Sequence, residues 1–188
     1  MKTESTFAYV LRLTVTLLLI TAVVAAALAA VNSVTAPKIA QITAEKTQKA
    51  IEAVLEGGYD REITDFTDDT GLVSKIYAGT NGYAVEVTPA GFDNTITMMV
   101  GIDLEGKVTG ISVISHTETA GLGAVAADKT EKGEDFRSQF VGLGGELAVT
   151  KDGGEVDAIT GATITSRAVT EGVNTALEFI GELYARFS

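Results

Sequence analysis

The hydrophobic pattern changes its period several times along the chain, and each change marks an element. Over residues 13–31 the run "LTVTLLLITAVVAAALAAV" passes nineteen positions without a charge, about the ~20 apolar residues that cross a bilayer core as a helix. Thr14, Thr16 and Thr21 interrupt it, but their hydroxyls can return to the helix backbone at little cost. A retained membrane anchor is the expected reading. The competing one is a secretory signal peptide, because Lys2 and Arg12 precede the run and "AAALAA" offers small-residue cleavage sites. The run is long for the apolar region of such a peptide.

The stretch "NSVTAP" over residues 32–37 reads as a breaker. Beyond it Ile39, Ile42, Ile51, Val54 and Leu55 recur at helical spacing until Gly57-Gly58, which predicts an amphipathic connecting helix. From residue 72 to residue 116 the period becomes two. Tyr83, Val85 and Val87 fall on one face, as do Ile96, Met98, Val100 and Ile102, and "DLEG" makes a turn before "KVTGISVISH". An antiparallel meander of three or four strands with one buried face is predicted. Further on, "EDFRSQFVG" carries Phe136 and Phe140 at helical spacing and "ELAVT" looks like another strand. From Ser166 onward, Val169, Val173, Ala176, Leu177, Ile180, Leu183 and Tyr184 form one apolar helical stripe. The expected architecture is α+β: residues 1–34 a tail and membrane helix, 35–60 a connecting helix, and 61–188 a domain with an antiparallel sheet and packed helices.

Charge and composition narrow the chemistry. The 188 residues carry a net charge of −11, which argues against nucleic acid as a partner, since that binding needs clustered Lys and Arg. With no cysteine and a single histidine, His116, thiolate clusters, thiol catalysis and Cys-type zinc sites are excluded. No metal site and no catalytic general base is expected, so any redox chemistry must come from an organic cofactor. Lys2 and Arg12 before the apolar run, against Lys38 and Lys46 after it, give only a slight positive bias. They favour an N-terminal tail in the cytoplasm and an acidic bulk outside it.

Two stretches carry candidate chemistry. In "DAITGATITS", residues 157–166, a Gly-Ala pair sits among three threonines and a serine just before the last helix. Thr163, Thr165 or Ser166 can cap that helix, with Glu171 assisting in its first turn. The same hydroxyl-lined helix start behind a flexible turn also suits a phosphate. No lysine of a nucleoside-triphosphate loop follows the glycine. In "HTETAGLG", residues 116–123, a strand ends in Glu118, Thr119 and two glycines. This is either a hairpin-like loop or a place where a flat ligand approaches the backbone.

Taken together, the two stretches resemble the paired motifs of one family. Asp-x-x-Thr-Gly-Ala-Thr, here residues 157–163, is similar to the signature at which FMN is joined through its phosphate to a threonine. "HTETAGLG" resembles the His-x-Glu-Thr-x-Gly-Leu-Gly stretch upstream of it. The family is the FMN-binding domain of the G subunit of Rnf-type ferredoxin:NAD⁺ oxidoreductase complexes, related to the C subunit of the sodium-pumping NADH:quinone reductase. The resemblance extends over nearly the whole chain. It departs at Ala120, where the family often has proline.

The resemblance implies a membrane-anchored electron-transfer subunit with covalent FMN, esterified at Thr163, with Thr165 the fallback. Asp157 would be recognised by a flavin transferase. Thr160, Gly161 and Ala162 would shape the turn, Thr165 and Ser166 would lie near the phosphate, and Glu118, Thr119, Leu122 and Gly123 would line the isoalloxazine. Partners would be the other membrane subunits of the complex, the transferase and membrane lipid. The soluble part would lie outside the cell (inner) membrane, with electron transfer coupled to Na⁺ or H⁺ export. The alternatives are a subunit of a Na⁺-translocating NADH:quinone reductase-like complex or a free-standing extracytoplasmic flavin reductase. An anchored module whose threonines only cap a helix also remains open.

Overall fold

A computed structural model describes residues 6–187 of the chain; Lys2, invoked above for orientation, lies outside them. The chain divides into two compact units, Met1–Ala44 and Glu45–Ser188.

Helix α1 runs without interruption over Thr6–Val54. Among the described residues it is the one helix long and apolar enough to cross a membrane. Its apolar side chains in this part, Leu17, Leu18, Leu28 and Val31 among them, are exposed, as a helix solvated by lipid requires. The Thr14, Thr16 and Thr21 hydroxyls donate to the carbonyls of Val10, Arg12 and Leu17 at 2.8–3.0 Å. The expected break at residues 32–37 does not occur, since Pro37 lies inside the helix. Proline removes one backbone hydrogen bond, but the polar residues before it need no partner outside the helix. Ser33 Oγ donates to Ala30 O and Thr35 Oγ1 to Val31 O.

The second unit is built on a five-stranded antiparallel meander in the order β1-β2-β3-β4-β5: Arg61–Ile63, Val73–Gly79, Gly82–Val87, Thr97–Asp103 and Val108–Ser115. The short charged edge strand β1 adds one to the number expected. The β4–β5 turn closes on Asp103, whose Oδ1 accepts from the backbone of Glu105 and Lys107, with Gly106 at φ +77°.

The sheet has two buried faces, where one was expected. Val85, Val87, Met98, Val100 and Ile102 form a core with Val169, Val173, Ala176 and Ile180 of helix α3, Thr163–Phe187. On the other face Tyr77, Ala84, Met99 and Ile114 pack against Ala50, Ile51, Val54 and Leu55, the end of α1 and the residue after it. Gly101 makes that contact close: a Cβ there would strike Val54 O and Thr109 Oγ1. The Thr109 hydroxyl donates to Val54 O.

Glu86 belongs to this second face and is only 8% exposed. Burial pushes its carboxyl up, Lys75 pulls it down and Glu62 pushes it further up. A carboxyl raised on folding contributes stability below the ordinary glutamate range, and that contribution is lost as pH rises through the raised value. Glu86→Gln is therefore expected to be the more stable form at neutral pH. It should also lose part of the decline in urea midpoint between about pH 4 and pH 8. Identical pH profiles for the two proteins would remove burial of this carboxyl as the cause.

Helix α2, Glu131–Ser138, realises the predicted helical piece, with Phe136 and Phe140 edge-on at 5.5 Å. Its Arg137 guanidinium donates to the carbonyls of Ala126 and Asp128, which ties down the 3-10 turn Gly123–Ala126. The stretch "ELAVT" is not a strand. Leu147 is bonded on both backbone groups by the Asn174 amide, and Val149 makes only an isolated parallel bridge to Val156.

Candidate functional site

Four segments distant in sequence meet at the start of α3 around a cavity of about 300 Å³, within the range of small-molecule sites. The segment after β5 contributes Glu118, Thr119, Leu122 and Gly123. The helix start contributes Gly161, Ala162, Thr163, Ile164 and Thr165. The 3-10 turn Thr150–Asp152 contributes Lys151, and the β3–β4 loop contributes Phe92. Phe92, Leu122 and Ile164 stand exposed around it, giving apolar walls next to a polar end at Lys151 and Thr163.

Glu118 joins these segments from beneath. It is 8% exposed; Oε1 accepts from the Phe92 backbone N–H at 2.8 Å and Oε2 from the Thr165 hydroxyl at 2.5 Å. Both oxygens therefore serve to brace the site. The carboxylate is closely packed on two sides, where a Cβ on Gly91 or Gly123 would collide with it. These two glycines give the carboxylate its room. His116 Nδ1 accepts from the Glu118 backbone N–H at 3.2 Å, which places the imidazole as a turn-holder outside the cavity lining.

The hydroxyls of the helix start divide by environment. Thr165 is 1% exposed and committed to Glu118; Ser166 is fully buried. Ser166 Oγ accepts from the Ile159 N–H at 2.9 Å and donates to Ala162 O at 3.0 Å, so it staples the Gly161 turn. Gly161 has φ +79°, a conformation only glycine adopts freely. Thr163 is half-buried, and its Oγ1 accepts from Lys151 Nζ at 2.8 Å. The expectation that one of these hydroxyls caps the helix is corrected: Thr163 is already its first residue, and each hydroxyl has another partner. Glu171 lies two turns further on and assists no cap.

Three of the predicted residues do not line this cavity: Asp157, Thr160 and the buried Ser166. Asp157 and Thr160 are exposed and border a second hollow on the far side of the loop, with Gly121 and Gln139. The Gln139 amide grips the backbone of Asp157 through both its N–H and its carbonyl. Phe92 and Lys151 were not foreseen. Neither lies near a motif in sequence, and only the folded loops bring them in.

FMN suits this arrangement: apolar side chains for a ring and a cationic, hydroxyl-bearing end at the positive pole of a 25-residue helix for a phosphate.

Comparison with known proteins agrees. Residues 91–178 match the FMN-binding domain family. The chain is 34% identical over 177 residues to the G subunit of the ion-translocating oxidoreductase complex of Methanosarcina acetivorans, covering 88% of this chain and 92% of that one. It is also 34% identical to the G subunit of the Na⁺-translocating ferredoxin:NAD⁺ oxidoreductase complex of Acetobacterium woodii, over 94% of each. To the G subunit of the proton-translocating ferredoxin:NAD⁺ oxidoreductase complex of Clostridium ljungdahlii it is 41% identical over 53% of each.

Proposed function

The chain belongs to the family of G subunits of ion-translocating oxidoreductase complexes, and on that footing we propose that it is the membrane-anchored electron carrier of such a complex, with one FMN esterified to Thr163. Bound FMN supplies the redox chemistry, taking up and releasing electrons singly or in pairs. The chain's own residues hold it. Phe92, Leu122 and Ile164 offer apolar surface for the ring. Glu118 fixes the loops that carry those walls, and Gly123 leaves room for that brace. Asp157, exposed beside Thr160, is the contact for a flavin transferase.

The observation that carries the attachment site is the difference between the two threonines: Thr163 presents its hydroxyl to the cavity, whereas the Thr165 hydroxyl is buried and spent on Glu118. The ester is formally the Thr163 hydroxyl and the FMN phosphate joined with loss of one water. Such a tether keeps the flavin in place in every oxidation state while one edge stays open to neighbouring carriers.

Residues 1–34 anchor the chain in the cell membrane, residues 35–60 connect, and residues 61–188 hold the flavin outside the cytoplasm among the other membrane subunits. The relatives' names include both sodium and proton translocation, and a carrier of this kind serves either.

The test is the intact mass of the full chain produced together with a flavin transferase. A mass higher by one FMN less one water, with flavin fluorescence retained on a denaturing gel, is the expected result. A chain of unmodified mass from such cells sinks the covalent carrier.

A further inference from the structure

Resting on attachment at Thr163, we propose that Lys151 is the counter-cation of the FMN phosphoester and positions Thr163 for its formation. Lys151 is the one lysine or arginine among the described residues lining the cavity, in a chain where Asp and Glu outnumber Lys and Arg by 25 to 14. Its ammonium donates to Thr163 Oγ1 at 2.8 Å, so an esterified phosphorus would be one bond beyond the atom that Lys151 already touches.

Without a further anion this placement gains little. The first turn of α3 carries backbone N–H groups without helical acceptors and the positive end of the helix dipole. A cation there is repelled, and the exposed hydrogen bond it gains is weak. An anionic phosphodiester reverses the sign of both terms. The neighbouring Asp152 carboxylate attracts Lys151, but both its oxygens are already engaged by Arg167 at 2.6 Å. That pair also clamps the turn Thr150–Asp152 to α3 one helical turn beyond Thr163. The one acid among the described residues lining the cavity, Glu118, is occupied by Phe92 and Thr165.

The roles before and after attachment follow from the donor inventory of an ammonium, three N–H groups and no lone pair. As the Thr163 Oγ–P bond forms, a flavin phosphoanhydride donor loses its leaving phosphate group, which departs with the bond electrons. The hydroxyl proton passes to a base on the transferase. Lys151 is not that base. It holds Oγ1 in the cavity and offsets the charge on the phosphoryl oxygens, then stays paired with the ester.

The test uses the full chain in detergent, with a flavin transferase and its flavin donor. Lys151→Ala, Lys151→Glu and Lys151→Arg are compared with the wild type by two readouts. The first is the time course of the mass adduct. The second is the ³¹P chemical shift of the loaded protein. Lys151→Ala is expected to load about tenfold more slowly, as loss of one charge-assisted hydrogen bond implies. Lys151→Glu should be slower still, and Lys151→Arg close to wild type. The ³¹P signal of loaded Lys151→Arg should stay close to that of the wild type, and that of Lys151→Ala should be displaced from it. Because Lys151 is exposed, urea unfolding should be unchanged. A Lys151→Ala chain that loads at the wild-type rate and gives the wild-type ³¹P shift overturns the role while leaving attachment at Thr163 intact. A wild type that takes no flavin overturns both.

Discussion

Thr163→Val is expected to carry no covalent flavin at all, while Thr165→Val keeps its adduct and loses stability. Valine reproduces the shape of threonine without the hydroxyl, so each variant asks only what its oxygen does. At residue 163 the oxygen is half-exposed, faces the cavity and is touched by Lys151. Its loss leaves no atom to esterify and little to destabilise, so the urea midpoint should stay near that of the wild type. At residue 165 the hydroxyl lies 1% exposed and gives its proton to Glu118. Its removal strands a buried carboxylate oxygen, at about 1–3 kcal/mol. Intact mass and urea unfolding of both variants decide the matter. An adduct on Thr163→Val and none on Thr165→Val would transfer the attachment to the buried threonine and require α3 to open before loading.

The second large effect belongs to Glu118. Glu118→Ala is expected to lower stability by about 3 kcal/mol, since two hydrogen bonds to a buried charged acceptor vanish together. The Phe92 N–H and the Thr165 hydroxyl are then left without their acceptor. Glu118→Gln should cost less, because an amide oxygen still accepts from one of them and the Thr165 hydroxyl can rotate to accept from the amide. In a double-mutant cycle, Glu118→Ala and Thr165→Val should couple by about 1–3 kcal/mol, as residues in direct contact do. Additive losses would mean that the brace between the "HTETAGLG" loop and α3 contributes nothing. Flavin retained on the tether but with altered fluorescence is the further signature expected of Glu118→Ala, because the Phe92 wall loses its anchor.

Much of this protein is legible along the chain because the physics involved is local. A nineteen-residue uncharged run has no water-soluble alternative to a buried or lipid-facing helix. Alternation of Val85, Val87, Met98, Val100 and Ile102 places them together on one side of a strand pair, because strand side chains alternate with period two. The two motifs likewise sit within continuous stretches, and the comparisons agree with the family that they indicate.

The failures of the sequence reading share a physical cause. Pro37 looks like a stop because one missing hydrogen bond is the visible signal. Whether a helix continues past it depends on the bonds of its neighbours, Ser33 and Thr35 among them. The polar face of the meander looks solvated, since Glu86 sits on it. It is covered because Leu55 and the end of α1 return to pack on Ala84 and Met99, and no period in the strands announces a helix from outside the sheet. The strand expected at "ELAVT" has the right residues but no free edge beside it, and Asn174, far along the chain, takes its hydrogen bonds.

At the site, sequence alone determined which stretches carry the chemistry and which residue types they hold. Tertiary structure alone decided which threonine is buried against Glu118 and which stays half-exposed beside Lys151, and that Lys151 and Phe92 belong to the cavity. Hydroxyls two residues apart have the same composition and the same helix start. Their difference lies in what packs against each, and that is set by residues 12 and 47 positions away that only folding brings within hydrogen-bond reach.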